Sequence, residues 1–188
     1  MTDKHRRFLG PVVEMRKLHD SAEQRIVHSA EMLDRKSLAS VGDTTGERLT
    51  ALLTETKAHT PEELAANVAR IGELLGRFAL YVPARFTDDP AEQAKYWAVR
   101  SGIFPAVGGS RPAGTTCLSE DVAFHIEDLP RATAELQALI ARHGYDACIY
   151  GHVLEDNYHF IINQSFSPPA EVARYEALMN DVAELVSA

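Results

Sequence analysis

Cysteine is scarce in this chain of 188 residues, and so is any signal for export or membrane insertion. Two cysteines, Cys117 and Cys148, stand far apart. Such isolated thiols match neither metal-ligand spacing nor a disulfide framework, so they read as small core residues in a reducing cytosol. No apolar run approaches the ~18 residues of a spanning helix. The charged start, Met1 to Arg7, is followed by no long apolar segment, so no signal peptide is expected. Basic residues are outnumbered, 19 Lys and Arg against 27 Asp and Glu, giving a net charge of -8. With no cluster of Lys or Arg interleaved with aromatics, a nucleic-acid partner is disfavoured. Internal repeats and low-complexity tracts are also missing. What remains is 45% hydrophobic residues, enough to form the core of one domain or of one domain plus a helical extension.

The chain begins with a modest amphipathic pattern over 8–24, carried by Leu9, Val12, Val13, Met15 and Leu18. Residues 26–33 fit a strand or a helix. Asp34 is a plausible cap for a short helix over 35–39, and 41–47 reads as a linker. Residues 1–46 are therefore expected to form a helical and linker segment ahead of a domain over 47–188. In that domain the predicted strands are 49–56, 78–82, 120–126, 147–150 and a last strand from Phe160. Thr60, Pro61 and Glu63 give a capping box and a first-turn proline, opening a helix that Gly76 stops. Further helices are expected from Asp89 to about Ile103, from Leu129 to His143, and from about Pro168 to Val186. Residues 104–114, dense in Gly and Pro, read as a loop. This order predicts an α+β fold, a ferredoxin-like antiparallel sheet with helices on one face.

The candidate site lies in the segment from Gly151 to Phe160. Asp, Asn and Glu interrupt the apolar pattern between two β-favouring runs, which predicts a hairpin. A tip centred on Glu155–Asp156 would set His152 directly opposite His159, with Cβ atoms roughly 4.5–5.5 Å apart. Alternation puts both histidines on the less apolar face, with Tyr150 and Cys148, while Phe160, Ile162 and Ile149 face the helices. Two imidazoles so placed could grip a metal ion or an anionic group. Paired surface or interface histidines would give the same pattern.

Several motifs in order carry a resemblance. They are Gly151-His152 with Asn157-Tyr158-His159, Tyr96-Trp97-Ala98-Val99-Arg100, Phe104-Pro105-Ala106-Val107-Gly108, Arg111-Pro112 with Gly114-Thr115-Thr116, and Glu120 to Phe124. From about Ala30 to Glu184 the chain resembles the C-terminal domain of FAD-linked oxidases of the D-lactate dehydrogenase and glycolate oxidase flavin subunit type. The resemblance implies an FAD-dependent dehydrogenase that oxidises a small D-2-hydroxy acid to the 2-oxo acid. His152 and His159 match histidines with catalytic roles that bind a divalent metal such as zinc or manganese in some members. Arg100 matches the arginine for the substrate carboxylate. Arg111 could reach substrate or flavin, or anchor its own loop. Trp97 is expected to pack. Asn157 is expected to shape the turn, and Glu120 and Asp121 either support the site or end a solvated strand.

Three departures qualify this. Leu154-Glu155-Asp156 stands where relatives often carry Gly-Asp-Gly. Nothing resembles the family's upstream FAD-binding domain, which would hold most of the cofactor. The downstream Glu-His-Gly that normally adds a third metal ligand is also missing. The expectation is a domain that works with an upstream FAD-binding domain, with a downstream iron-sulfur region in some members. The isolated chain should be inactive. Its expected location is cytoplasmic, or peripheral at the inner membrane through electron-transfer partners. The competing reading is a stand-alone α+β ligand-binding or assembly module.

Overall fold

A computed structural model describes residues 3–20, 25–42 and 50–188. Helix α1 spans Asp3–His19 and is followed by strand β1, Ser29–Leu33, and a short helix α2, Arg35–Ser40. Strand β2, Ala51–Glu55, leads to α3, Pro61–Leu75, and α4, Pro90–Gly109. Strand β3, Thr116–Ala123, precedes α5, Leu129–Arg142. The hairpin strands β4, Cys148–His152, and β5, Asn157–Gln164, are followed by α6, Pro169–Ser187. The strands form one sheet in the order β2-β1-β4-β5-β3, every neighbour antiparallel. The fold is α+β with an N-terminal helix, as the sequence predicts.

Local chemistry sets most boundaries. Thr60 Oγ1 accepts from the Glu63 N–H at 3.2 Å, and Glu63 Oε2 accepts from the His59 N–H at 3.0 Å, so α3 starts where the capping signal lies. Asp34 caps α2 by accepting from the Ser37 N–H at 2.7 Å. The caps fix where helices begin, and their apolar faces fix where they lie. Val12 and Met15 of α1, Ile71 and Leu74 of α3, Leu136 and Ile140 of α5, and Leu178 and Val182 of α6 are buried with Met32, Ile149, Phe160 and Ile162 of the sheet. Burying such a side chain contributes about 1.5–3 kcal/mol.

Four expectations change. Residues 78–82 do not form a strand. Phe78 packs against the main core, but Tyr81 and Val82 are 75% and 66% exposed and have no sheet neighbour. Helix α4 runs past Ile103 through Pro105 to Gly109, because Ile103 and Val107 anchor it on the sheet. That packing outweighs the backbone bond Pro105 cannot make. Helices are not confined to one face. α2 and α4 lay Leu38, Ile103 and Val107 over Leu33, Cys148, Tyr150 and Ile161 on the second face. The segment expected ahead of the domain contributes a core helix and an inner strand, for β1 lies between β2 and β4. Strand β2 begins at Ala51, and the predicted linker and strand start at 43–49 lie outside the described residues, as do 21–24 at the end of the first predicted helix.

Candidate active site on the second face of the sheet

The hairpin turns one residue earlier than predicted. A 3-10 turn over Val153–Glu155 leads to Asp156, which adopts φ 60°, ψ 15°. Aspartate is among the few residues that tolerate this left-handed conformation, so the turn closes here without a glycine. Its carboxylate takes a hydrogen bond from Arg16 Nη1 at 2.9 Å, tying the turn to α1. Gly151 is required for a different reason: a Cβ there would lie 2.6 Å from the Asn157 carbonyl oxygen and 2.9 Å from Tyr158 Cα.

The register follows from the turn. Tyr150, not His152, is the cross-strand partner of His159. A slip of two positions leaves each side chain on its face, so both histidines still share the second face. Their rings meet edge to face with centroids 5.7 Å apart. Tyr150 sits 5.2 Å from the His159 ring, and Arg100 of α4 lies 5.3 Å above the Tyr150 ring. Burial pushes the Tyr150 hydroxyl up, an effect the Arg100 cation partly offsets.

Each histidine has a carboxylate directly across the ladder. Glu31 of β1 pairs with His152, and Asp121 of β3 pairs with His159. Glu31 is 2% exposed, and its Oε1 lies 2.6 Å from His152 Nδ1 while Oε2 accepts from Arg100 Nε at 3.3 Å. Arg100 Nη2 lies 3.3 Å from His152 Nε2. His159 Nδ1 is hydrogen-bonded to Asp121 Oδ1. A carboxylate can only accept, so Nδ1 of His159 carries the proton and Nε2 is the basic nitrogen.

Of the residues singled out from sequence, the structure thus brings together His152, His159, Arg100 and Asp121. Arg111 stands apart. Its Nε donates to the Thr115 carbonyl at 3.1 Å and its Nη1 to the Gly108 carbonyl at 2.5 Å, anchoring the turn before β3. Asp121 lies five residues beyond the start of β3, roughly 17 Å along the strand. Glu120 faces the opposite way, accepting from the Tyr175 hydroxyl at 2.6 Å. Glu31 was missed. Its signal was a lone charge inside Ser29-Ala30-Glu31-Met32-Leu33, a segment that fits strand alternation.

The donor set does not fit the expected zinc or manganese. Among the described residues, no three of the His, Cys, Asp and Glu side chains converge to hold a metal ion. His152 presents one nitrogen to Glu31 and the other to a guanidinium, and a cation already stands beside that ring.

A family model described as "FAD linked oxidases, C-terminal domain" matches residues 15–188. Among solved structures, p-cresol methylhydroxylase with substrate bound shows the same fold at a TM-score of 0.65 and 14% identity. The isoeugenol complex of 4-ethylphenol oxidase from Gulosibacter chungangensis does so at 0.56 and 9%. Each alignment covers 97% of this chain and 41% of the other, so the chain spans less than half the length of these relatives. No match was found among curated proteins.

Proposed function

The chain belongs to the family of C-terminal domains of FAD linked oxidases, and on that premise we propose that it forms the substrate-contacting part of an FAD-dependent dehydrogenase acting on a small D-2-hydroxy acid. The observation that carries this reading is Arg100, a cation held at the end of the histidine patch by Glu31 and His152. It commits two of its five N–H groups to those partners, so three remain for a substrate carboxylate. The patch thus offers a carboxylate anchor beside an imidazole base, the two functions that a 2-hydroxy acid requires.

His159 is the base. Asp121 holds its Nδ1 proton, so Nε2 can take the proton of the substrate hydroxyl. The O–H electron pair then becomes the second bond of the new carbonyl as the C2 hydrogen leaves with its electrons. The flavin, when bound, supplies the acceptor for that hydride. Arg100 keeps the carboxylate fixed and so presents C2 in one orientation.

The cofactor would be held mostly by an upstream FAD-binding domain, with this domain covering it. Tyr96 and Trp97, one turn before Arg100 on α4, are partly exposed, as are Leu80, Tyr81, Val82 and Phe86 in the segment ahead of it. Such apolar surface fits a covering role toward a flat aromatic group and a neighbouring domain. Among the described residues no helix is long and apolar enough to cross a membrane.

The test is anaerobic titration of the flavoenzyme that contains this domain with D- and L-2-hydroxy acids and with 4-alkylphenols. Bleaching of the flavin by D-2-hydroxy acids is expected. Bleaching by the phenols alone would overturn the proposal.

A further inference from the structure

We infer that Glu31 is a positioning residue whose carboxylate fixes the proton of His152 on Nδ1 and holds Arg100 beside the same ring. The inference rests on the substrate reading above only for its kinetic consequence. Two contacts carry it independently. Glu31 Oε1 lies 2.6 Å from His152 Nδ1, and a carboxylate there selects an Nδ1–H donor. On the far side of the ring Arg100 Nη2 lies 3.3 Å from Nε2. A guanidinium only donates, so Nε2 must be the acceptor. Both ends of the imidazole therefore demand the same tautomer, the less common one for a neutral histidine in water.

Burial makes the arrangement compulsory. A carboxylate 2% exposed must spend its charge on partners, and Glu31 divides its two oxygens between the ring and the guanidinium. The backbone adds precision. Glu31 and His152 are direct cross-strand partners, and Ala30 and Met32 on either side of Glu31 are locked in the core below. Because the carboxylate also holds Arg100 Nε, it sets the direction in which the terminal guanidinium nitrogens face. Without Glu31, the ring would be free to change tautomer and then compete with Arg100 as a donor.

The test begins on the 188-residue chain itself, by long-range nitrogen–proton NMR of its histidine rings, with the His152 signals identified by their loss in His152→Gln. In the wild type His152 is expected as the Nδ1–H tautomer. A wild-type His152 protonated on Nε2 would overturn the inference, whatever any variant does. Glu31→Leu, which keeps bulk but removes the acceptor, is expected to return His152 to the Nε2–H form and leave His159 unchanged. Glu31→Gln, whose amide oxygen still accepts, is expected to retain Nδ1–H. An unchanged tautomer in Glu31→Leu also overturns it. In the flavoenzyme Glu31→Leu should raise KM for the 2-hydroxy acid at least tenfold, with partial rescue by Glu31→Gln. Wild-type kinetics alongside the expected NMR result would sink the substrate reading and leave the tautomer assignment standing.

Discussion

At the scale of single residues the site depends on a few side chains whose replacement has separable effects. In the flavoenzyme, His159→Ala should lower kcat by a factor of about 10²–10⁴, the usual contribution of a general base. A loss below tenfold would remove His159 from that role. On the proposed reading Arg100→Met should act mainly on KM for carboxylate substrates, because it deletes the proposed anchor and leaves the proposed base. Cys148 makes a different prediction. Burial, with Asp34 nearby, pushes its thiol up to about 12, so at pH 8 it is almost wholly protonated. Iodoacetamide should leave it unmodified in the folded chain and label it after denaturation. The residues bearing the motifs, His152, His159 and Arg100, were readable because each is chemically distinctive. Glu31 was not, because a glutamate in a short strand resembles a solvated edge until the strand's place in the sheet is known. The same ignorance made Asp121 ambiguous, since only register sets it opposite His159.

At the scale of elements the hairpin is the instructive case. Parity placed both histidines on the correct face, since side-chain direction survives a slip of two. The register was not readable, because it depends on whether the turn closes around Asp156 or before it. Asp156 in the left-handed region predicts a distinctive pair of outcomes. Asp156→Gly relieves backbone strain but loses the Arg16 contact, worth about 0–1 kcal/mol for a part-exposed pair. Thermal unfolding should therefore shift little. Asp156→Val keeps the strain and loses the contact, and should cost about 1–3 kcal/mol. Equal stability of the two variants would show that the turn does not hold this conformation. Gly151→Ala should cost at least as much, because its methyl meets backbone that cannot swing aside. Helix α4 illustrates the opposite error. Its glycines and Pro105 read locally as a loop, but Ile103 and Val107 find a sheet to cover. A preference of the order of a few kcal/mol at one proline is overridden by burial at several positions.

Over the whole molecule the α+β class was legible because capping boxes and apolar periodicity are local signals that agree with one another. The place of the first 46 residues was not, since nothing local distinguishes a strand that pairs with its neighbour from one inserted between distant partners. The exposed apolar side chains around Tyr81 and Trp97 also acquire meaning only when the fold shows which of them the core fails to take. They predict that the purified chain is colourless and binds a hydrophobic dye such as ANS, and that a partner FAD-binding domain suppresses the dye signal. Tyr81→Asp should weaken that association without lowering the unfolding temperature. A dye signal unaffected by the FAD-binding domain would locate the interface elsewhere.

The insertion of β1 between β2 and β4 has a consequence for synthesis. Glu31 meets its cross-strand partner His152 across 121 positions of sequence (152 − 31). During translation the N-terminal helix and first two strands emerge long before the strand that completes them. Until then β1 carries an unsatisfied edge, and the nascent chain is open to mispairing. Closure of the sheet then also completes the Glu31–His152–Arg100 cluster, because His152 is the last of the three to be made. The pairing of β4 with β1 that closes the sheet also brings the His152 ring to Glu31 and Arg100, both drawn from earlier in the chain.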